Sequence, residues 1–260
     1  MTGDTVRAPV VFGERARSYD RLRPDYPPAA LSEALATQAG ATIGSALDIG
    51  CGTGKLAVAL TSLGHRVTGL EPDPRMAAVA SAKGLPVEVG SFEAWDPGER
   101  RFDTVACGQA WHWLRPGDRT DKAARCLRPG GQILLAWNLG SHPPLVGFGL
   151  NRVYASVLPD GLPTGDGGRA SLTEADIDEY AAELRSHGFS SVTKSALPWR
   201  SCLTSREWCE LLGTDSRHLA LPKTVRRRLL HAVARYLDAD HGGEVGLDYR
   251  CVVLTASTAG

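Results

Sequence analysis

The sequence predicts an α/β fold, because strand-like and helix-like segments alternate along the chain. An apolar run at residues 46–49 ends in alternate glycines, and leucines at helical spacing follow. A second apolar run at 67–70 ends in Glu71, and helical and strand patterns continue to alternate as far as residue 137. This alternation is typical of a parallel sheet covered by helices.

The glycine turn, residues 50–54, is the strongest candidate for a binding site. Gly50, Gly52 and Gly54 alternate between a predicted strand and a predicted helix. Glycine allows a positive φ and lets a ligand approach the backbone, while the helix behind offers free N–H groups. The spacing Gly-x-Gly-x-Gly differs from the dinucleotide fingerprint and from a phosphate loop. Glu71 ends the next strand 21 residues after Gly50, the spacing of a ribose-binding acid.

Composition excludes several classes of function. The 260 residues are 43% hydrophobic, enough for a sizeable core, and 29 Lys+Arg balance 29 Asp+Glu, so we expect no nucleic-acid partner. The six cysteines lack metal-ligand spacing, so we expect no metal site and reduced thiols. Without an apolar leader or a run of about 18 apolar residues, we expect a cytoplasmic protein with no membrane partner.

Further elements follow in order from periodicity and from turn residues. Predicted helices cover 29–38, 56–63, 74–84, 118–127, 145–158, 173–187, 205–212 and 224–237. Predicted strands cover 46–49, 67–71, 86–89, 102–107, 132–137, 191–199 and 247–255. Residues 128–131 form a predicted turn before the fifth strand, and 159–168 a predicted exposed, mobile loop.

Two segments carry side chains unusual for loops. Residues 10–27 are rich in Arg, Tyr and Pro, which indicates either an irregular surface arm or a lid over a bound anion. Gln109, Trp111, His112 and Trp113 follow the fourth strand, at the sheet edge where ligands bind in open α/β sheets. The alternative for the second segment is an aromatic plug that packs against the next helix.

Residues 48–54 and the Leu-Arg-Pro-Gly-Gly sequence at 127–131 resemble the class I S-adenosylmethionine-dependent methyltransferases. Tyr19-x3-Arg23-Pro24-x-Tyr26-Pro27 and Gln109-x-x-His112-Trp113 resemble the type 11 subgroup that includes trans-aconitate and juvenile-hormone-acid methyltransferases. The resemblance implies S-adenosyl-L-methionine as cofactor. It also implies a three-layer, doubly wound sheet of seven mostly parallel strands, the last antiparallel, with an N-terminal arm and a C-terminal helical cap.

The resemblance assigns most of the candidate site residues. The implied cofactor-binding residues are Tyr19, Arg23, Asp48, Gly50, Gly52, Gly54, Glu71, Pro72, Met76, Ser91, Phe92 and Gln109. In the family, Glu71 would accept hydrogen bonds from both ribose hydroxyls, Met76 would pack on the adenine, and Tyr19 and Arg23 would meet the methionine end. Many relatives carry Asp where this chain has Ser91, so backbone or hydroxyl contacts would replace a carboxylate contact to the adenine amine.

The expected reaction is methyl transfer to a small-molecule acceptor, on an oxygen of a carboxylate or a phenol. Trp111, His112, Trp113 and Asn138 are the candidate acceptor-binding residues. His112 is also the candidate catalytic residue, because a histidine with an unperturbed pKa of ~6.5 suits a general base. The alternatives are another nucleotide-binding α/β domain, a cofactor-binding pseudoenzyme without transfer, and a nicotinamide oxidoreductase, which the glycine spacing disfavours.

The predicted organisation is one methyltransferase domain over residues 1–260. Within it, 10–27 form the arm over the cofactor, 40–138 the cofactor-binding core, and 139–240 the cap and acceptor side, with a strand at 191–199. Residues 246–256 form the last strand.

Overall fold

The computed structural model describes residues 16–36, 43–162 and 172–258. The predictions for residues 10–15 of the arm and for 163–168 of the exposed loop fall outside these ranges. The helices are α1 (Ala16–Leu22), α2 (Pro28–Ala36), α3 (Lys55–Ser62), α4 (Pro74–Ala82), α5 (Arg119–Cys126), α6 (Pro144–Val157), α7 (Glu174–Ser186), α8 (Ser205–Leu212), α9 (Ser216–Leu219) and α10 (Lys223–Asp240). The strands are β1 (Ser45–Ile49), β2 (Arg66–Glu71), β3 (Val87–Val89), β4 (Phe102–Gly108), β5 (Leu127–Ser141), β6 (Ser190–Thr204) and β7 (Glu244–Ser257).

The strands form one seven-stranded sheet in the order β3-β2-β1-β4-β5-β7-β6, with flanking helices. Strands β1 to β5 pair in parallel, for example Ile49 with Leu70 and Leu47 with Val105. The strand order reverses between β1 and β4, and ligands bind beside such a switch point, outside the carboxyl ends of the strands. This arrangement confirms the predicted doubly wound α/β fold.

Strand β7 is the antiparallel member of the sheet. Its end bonds the start of β5, since the Thr258 N–H donates to Gly131 O at 2.9 Å, while Tyr249 packs against Gly140 near the end of β5. Strand β7 is also antiparallel to β6, because residue numbers rise along β6 while those of their partners fall along β7. The Thr193 and Thr255 hydroxyls are 2.8 Å apart, and Arg200 Nε donates to the Asp248 carboxylate at 2.6 Å. The prediction of an antiparallel last strand is therefore confirmed.

The turn predicted at residues 128–131 lies inside β5. Phe102 pairs with Leu127 and Thr104 with Gln132, so three extra residues of β5 form a bulge there. Gly130 takes a φ of 71°, which supplies the left-handed residue that the bulge needs. The prediction of a turn before the fifth strand is wrong in this respect, because the strand already begins at Leu127 and these residues bulge within it.

The chain divides into two compact units. The sheet unit consists of Pro24–Leu139, Thr173–Leu197 and Arg250–Gly260, and the helical unit of Met1–Arg23, Gly140–Leu172 and Pro198–Tyr249. In the helical unit, α6 and α10 pack around a core that includes Leu150, Leu229 and Val233. A single domain over 1–260 and a cap formed by 139–240 remain predictions.

Local signals explain several helix ends. Thr173 caps α7, because its hydroxyl accepts from Asp176 N while the Asp176 carboxylate accepts from Thr173 N. Gly64 follows α3 with a φ of 94°, the left-handed end that its position predicted. Among the described helices, none is both long and apolar enough to cross a bilayer.

Candidate cofactor and acceptor site

The glycine turn has the backbone conformation that its sequence predicted. Gly50, Gly52 and Gly54 have φ values of 64°, 57° and 84°, where other residues are strained. The N–H groups of Gly50 and Cys51 both donate to Leu70 O, at 2.8 and 3.1 Å, so the turn is bonded to the neighbouring strand β2. The start of the turn is therefore bonded to β2 through backbone groups.

The three glycines differ in the space around them. A Cβ on Gly50 would lie 2.7 Å from Ala110 Cβ, and one on Gly54 would lie 2.5 Å from Leu85 Cδ1. A Cβ on Gly52 would meet only Met76 Cε, at 3.6 Å. Gly50 and Gly54 are thus required by packing as well as by φ, whereas the surface beside Gly52 and Met76 is open to a ligand.

Glu71 is buried and already supports the glycine turn. Its Oε2 accepts from Gly52 N and its Oε1 from Asp73 N, both at 2.9 Å. Burial raises the pKa of Glu71, and the two N–H donors oppose the rise. Each carboxylate oxygen retains a further acceptor site, so Glu71 has the capacity to receive the two hydroxyls of a ribose.

Asp48 lies inside the sheet unit with no exposed surface. Neither carboxylate oxygen has a hydrogen-bond partner in standard geometry among the described residues. Burial raises the pKa of Asp48 to about 8, the Ala57 N–H opposes the rise, and the charge of Glu71 adds to it. Asp48 therefore has no exposed atom with which to meet a ligand, and its predicted contact with the cofactor is not supported.

The predicted adenine side combines buried and exposed residues. Met76 and Phe92 are buried, and Lys122 Nζ lies 5.1 Å from the centroid of the Phe92 ring. Pro72 is exposed. The Ser91 hydroxyl accepts from Ala94 N at 3.3 Å, so it helps to close the turn that follows β3.

The histidine turn, residues 109–114, directly follows β4 and contains a 3-10 helix at Trp111–Trp113. Gln109 begins it with a φ of 57°, and its side-chain Nε2 donates to Asn138 O at 3.0 Å. The rings of His112 and Trp113 are half-buried, with centroids 5.1 Å apart. A half-buried imidazole beside an indole can both contact an apolar ligand and exchange a proton.

Asn138 connects a further segment to the end of β5. Its Nδ2 donates to Asp25 O at 3.1 Å, and Lys55 Nζ, at the start of α3, pairs with the Asp25 carboxylate at 2.6 Å. The hydroxyl of Tyr26 lies against Gly108, since a Cβ built on Gly108 would be only 2.6 Å from this oxygen. Residues 24–27 are thereby attached to the same sheet edge as the glycine and histidine turns.

The prediction that Trp111 binds the acceptor is not supported by the structure. Trp111 is fully buried, and its ring packs against the guanidinium of Arg119 at 5.2 Å. Its side chain therefore belongs to the core of the sheet unit, as the aromatic-plug alternative predicts for this one residue of the cluster. His112 and Trp113 keep part of their surface accessible.

Tyr19 and Arg23 belong to the helical unit, and their predicted contact with the cofactor remains a prediction. Tyr19 is part of α1, so the described portion of the predicted irregular arm includes a helix. The Arg23 guanidinium lies 5.3 Å from the centroid of the Tyr19 ring. In the same unit, burial raises the pKa of Tyr249 and the charge of Arg23 opposes that rise.

The sequence interpretation missed Arg119 and Glu183, which form a partly buried ion pair in the sheet unit. A signal for Arg119 was present, because it shares one face of α5 with Ala123 and Cys126, and all three are buried. A charged residue in an apolar helical stripe indicates a buried partner. The partner could not be identified, because it lies 64 residues away.

Comparison with known proteins identifies the family. The methyltransferase domain family matches residues 47–135. An uncharacterized methyltransferase of Mycobacterium bovis is 32% identical over 257 residues, which cover 95% of this chain and 96% of that relative. The chain belongs to the class I S-adenosylmethionine-dependent methyltransferases. Membership decides against the nicotinamide oxidoreductase alternative.

Solved methyltransferases share the fold. A protein of Anaeromyxobacter dehalogenans assigned as a type II methyltransferase aligns with a TM-score of 0.64 and 21% identity, covering 92% of this chain and 99% of that chain. Phosphoethanolamine N-methyltransferase 2 of Haemonchus contortus, solved with S-adenosyl-L-methionine, aligns with a TM-score of 0.53 and 16% identity, covering 95% and 57%. At these identities the likeness shows the fold alone.

The residues of this methyltransferase fit its cofactor, S-adenosyl-L-methionine. The open surface beside Gly52 admits a ligand that a Cβ would crowd, and Glu71 offers acceptor oxygens for ribose hydroxyls. Met76, whose Cε lies beside Gly52, would supply an apolar contact for the adenine. These three residues would hold the cofactor, while Gly50 and Gly54 shape the turn.

Proposed function

We propose that the protein transfers a methyl group from S-adenosyl-L-methionine to an oxygen of a small, partly apolar acceptor, with a carboxylate ahead of a phenol. The observation that carries the proposal is the half-buried His112–Trp113 pair, which directly follows β4. This pair stands at the strand-order switch, where ligands of open α/β sheets bind.

The contact between the two turns supports this placement of the acceptor. Ala110, at the start of the histidine turn, lies close to Gly50. A Cβ built on Gly50 would be only 2.7 Å from the Cβ of Ala110. A cofactor on the glycine turn would thus be a near neighbour of residues 109–113. Methyl transfer requires the acceptor atom in line with the donor, so adjacency of the two turns suits the reaction.

Relatives also support an oxygen acceptor. The ubiquinone biosynthesis O-methyltransferase of Alkalilimnicola ehrlichii is 30% identical over 146 residues, which cover 53% of this chain and 58% of that enzyme. The enzyme of the same name from Xanthomonas euvesicatoria is 31% identical over 168 residues, covering 60% and 67%. The chain thus matches only part of each enzyme, and the likeness supports the acceptor atom rather than the acceptor itself.

The side chains have clear tasks in such a reaction. When bound, the sulfonium cofactor supplies an activated methyl group, because its sulfur leaves as a neutral thioether. Trp113 would exclude water and contact the apolar part of the acceptor, and Gln109 would keep the backbone at Asn138 in place. His112 would orient a carboxylate through a ring N–H, or remove the proton of a phenol.

Binding and turnover can be measured separately. Calorimetry should show binding of S-adenosylmethionine and S-adenosylhomocysteine and none of NAD. Release of S-adenosylhomocysteine should then be assayed with matched carboxylic acids, phenols and amines of one aromatic scaffold, and we expect the acids to turn over fastest. Tight cofactor binding without turnover of any acceptor would identify a pseudoenzyme, and preference for the amines would contradict the proposal.

His112→Ala tests the role of the histidine. With a carboxylate acceptor we expect kcat/KM to fall about 10-fold through lost positioning, with a pH profile that stays flat near neutrality. With a phenol, about 10²-fold should be lost, together with the limb of the pH–rate profile that reports the general base. His231→Ala, an exposed histidine of α10, is the control and should change nothing. If His112→Ala and Trp113→Ala both leave kcat/KM unchanged, the acceptor does not bind at this turn.

A further inference from the structure

A buried guanidinium lies beside the histidine turn. Arg119, near the start of α5, has a side chain that is only 5% exposed. Its Nε donates to Glu183 Oε1 at 2.9 Å, and its Nη2 bonds the second oxygen of the same carboxylate. Burial disfavours the charged form of Glu183, but hydrogen bonds from Arg119 and Thr120 outweigh it, so the pKa of Glu183 lies below its ordinary value.

Aromatic rings hold the plane of this guanidinium. It lies 5.2 Å from the Trp111 ring centroid and 5.0 Å from that of Tyr180. Tyr180 in turn stacks on Trp137, with centroids 5.6 Å apart and planes 20° apart. Cation–π contacts at a buried site fix orientation as well as adding stability, so Arg119 has little freedom to rotate.

The remaining edge of the guanidinium faces the backbone of the histidine turn. Nη1 donates to Trp111 O at 2.9 Å and lies 3.5 Å from Leu114 O. Within the turn, Trp113 N donates to Ala110 O and Leu114 N to Trp111 O, at 2.9 and 3.2 Å. Arg119 therefore bonds the backbone on both sides of His112.

We infer that Arg119, oriented by Glu183, is a positioning residue that sets the place of His112 and Trp113 relative to the acceptor. The inference rests on the proposed function, because it takes His112 and Trp113 as the acceptor-facing side chains. A buried ion pair is weak evidence for a stabilising role, since apolar residues of similar volume often serve as well. The planar guanidinium bonds a carboxylate on one edge and two carbonyl groups of the turn on another. These bonds fix the position of the turn relative to Glu183, which apolar residues cannot do.

The structure offers a matched control for this inference. Asp121, on the same helix α5, pairs with His187 at the end of α7, at 2.6 Å on the surface. Both ion pairs therefore connect α5 to the α7 segment, but only Arg119 bonds the histidine turn. Asp121→Asn removes the surface connection and leaves the turn contacts in place.

The test uses the full chain with Arg119→Lys and Glu183→Gln, which keep similar side-chain volumes, and with Asp121→Asn as control. Amide hydrogen exchange at residues 111–114 should be at least about 10-fold faster in Arg119→Lys and faster in Glu183→Gln. The Kd for S-adenosylhomocysteine should stay within about twofold, because Arg119 does not contact the glycine turn. With the acid or phenol that turns over fastest, kcat should fall while KM for S-adenosylmethionine stays unchanged.

Two outcomes would overturn the inference. One is exchange at residues 111–114 that stays within twofold of the wild-type rate in a folded Arg119→Lys or Glu183→Gln protein. The other is an equal increase in Asp121→Asn, which would show that helix docking rather than the guanidinium orders the turn. The turnover of His112→Ala tests the proposed function independently of the exchange measurement. If Arg119→Lys speeds exchange but His112→Ala leaves turnover unchanged, Arg119 positions the turn and the acceptor binds elsewhere.

Discussion

The glycine turn and the histidine turn follow neighbouring parallel strands and touch at Gly50 and Ala110, yet they are held in different ways. The glycine turn depends on backbone conformation, with three positive φ angles and N–H groups bonded to Leu70 O. The histidine turn also has backbone hydrogen bonds, but side chains, above all Arg119, bond its carbonyl groups in addition. One edge of a sheet can therefore combine a turn encoded mainly by local backbone conformation with a turn that distant residues order.

This difference also divides the expected tasks. A turn built from backbone groups tolerates little variation, which suits a cofactor whose structure is constant. A turn ordered by side chains can present different residues on the same support, which suits an acceptor that differs between relatives.

The largest effect is expected where the turns touch. Gly50→Ala adds a Cβ at a φ of 64° and 2.7 Å from Ala110 Cβ, so it combines backbone strain with overpacking. We expect a loss of about 2 to 5 kcal/mol in the free energy of unfolding, measured in urea. The added methyl group should also displace the histidine turn.

Gly84→Ala is the matched control for Gly50→Ala. Gly84 has a φ of 85°, and a Cβ there would have nothing within 4 Å. Gly84→Ala should lose only about 1 to 2 kcal/mol in the free energy of unfolding, the cost of placing a Cβ on a left-handed residue. Equal losses in the two variants would show that contact between the turns contributes nothing.

The next effect concerns Asp48, which precedes the glycine turn and whose pKa burial raises to about 8. A carboxyl with a raised pKa stabilises the folded state fully below its unfolded pKa, and this contribution is lost as the pH rises towards 8. The loss amounts to about 1.4 kcal/mol for each pH unit, or about 4 kcal/mol between pH 5 and 8. Asp48→Asn should remove this part of the slope in urea unfolding of the cofactor-free protein.

Asp103→Asn provides the contrast within the same sheet. Burial opposes ionisation of Asp103, but hydrogen bonds from Arg128 and Ser45 outweigh it and lower the pKa to about 2. This carboxyl is ionised throughout the range from pH 5 to 8, so the variant should be less stable by a constant amount. A slope in Asp48→Asn as steep as that of the wild type would show that Asp48 is already ionised inside the folded protein over this range, since burial also raises the pKa of Glu71 and leaves that residue's share of the slope in both proteins.

The smallest effect is expected at Glu71, where cofactor binding and support of the turn can be compared. Glu71→Ala should weaken S-adenosylhomocysteine binding by about 1.5 to 3 kcal/mol in calorimetry, the range for hydrogen bonds to a charged group. Glu71→Gln keeps one acceptor oxygen and should lose less. Unchanged affinity in a folded Glu71→Ala protein would show that Glu71 does not bind the ribose. Its remaining role would be to accept from the N–H groups of Gly52 and Asp73.

Local patterns predicted most of the elements. The helix predicted at 205–212 coincides with α8, and the cap at Thr173 forms as expected. The bulge at 128–131 was missed, because the residues that make a turn in isolation also make a bulge when the neighbouring strand continues beside them. Helix α10 continues three residues beyond its predicted end, and the Ser205 hydroxyl donates to Asp238 in this last turn, a contact with another helix that no local pattern contains.

Local sequence patterns were enough to predict the doubly wound sheet, the glycine turn and the position of Glu71, because hydrophobic periodicity and the demand for a positive φ act over a few residues. Tertiary packing, by contrast, buries Trp111 and leaves its neighbours His112 and Trp113 half-buried. It also decided that Arg119 orders that turn, since its partner Glu183 lies 64 residues away. Burial and ion pairing depend on which surfaces meet after folding, and that information is distributed over the whole chain.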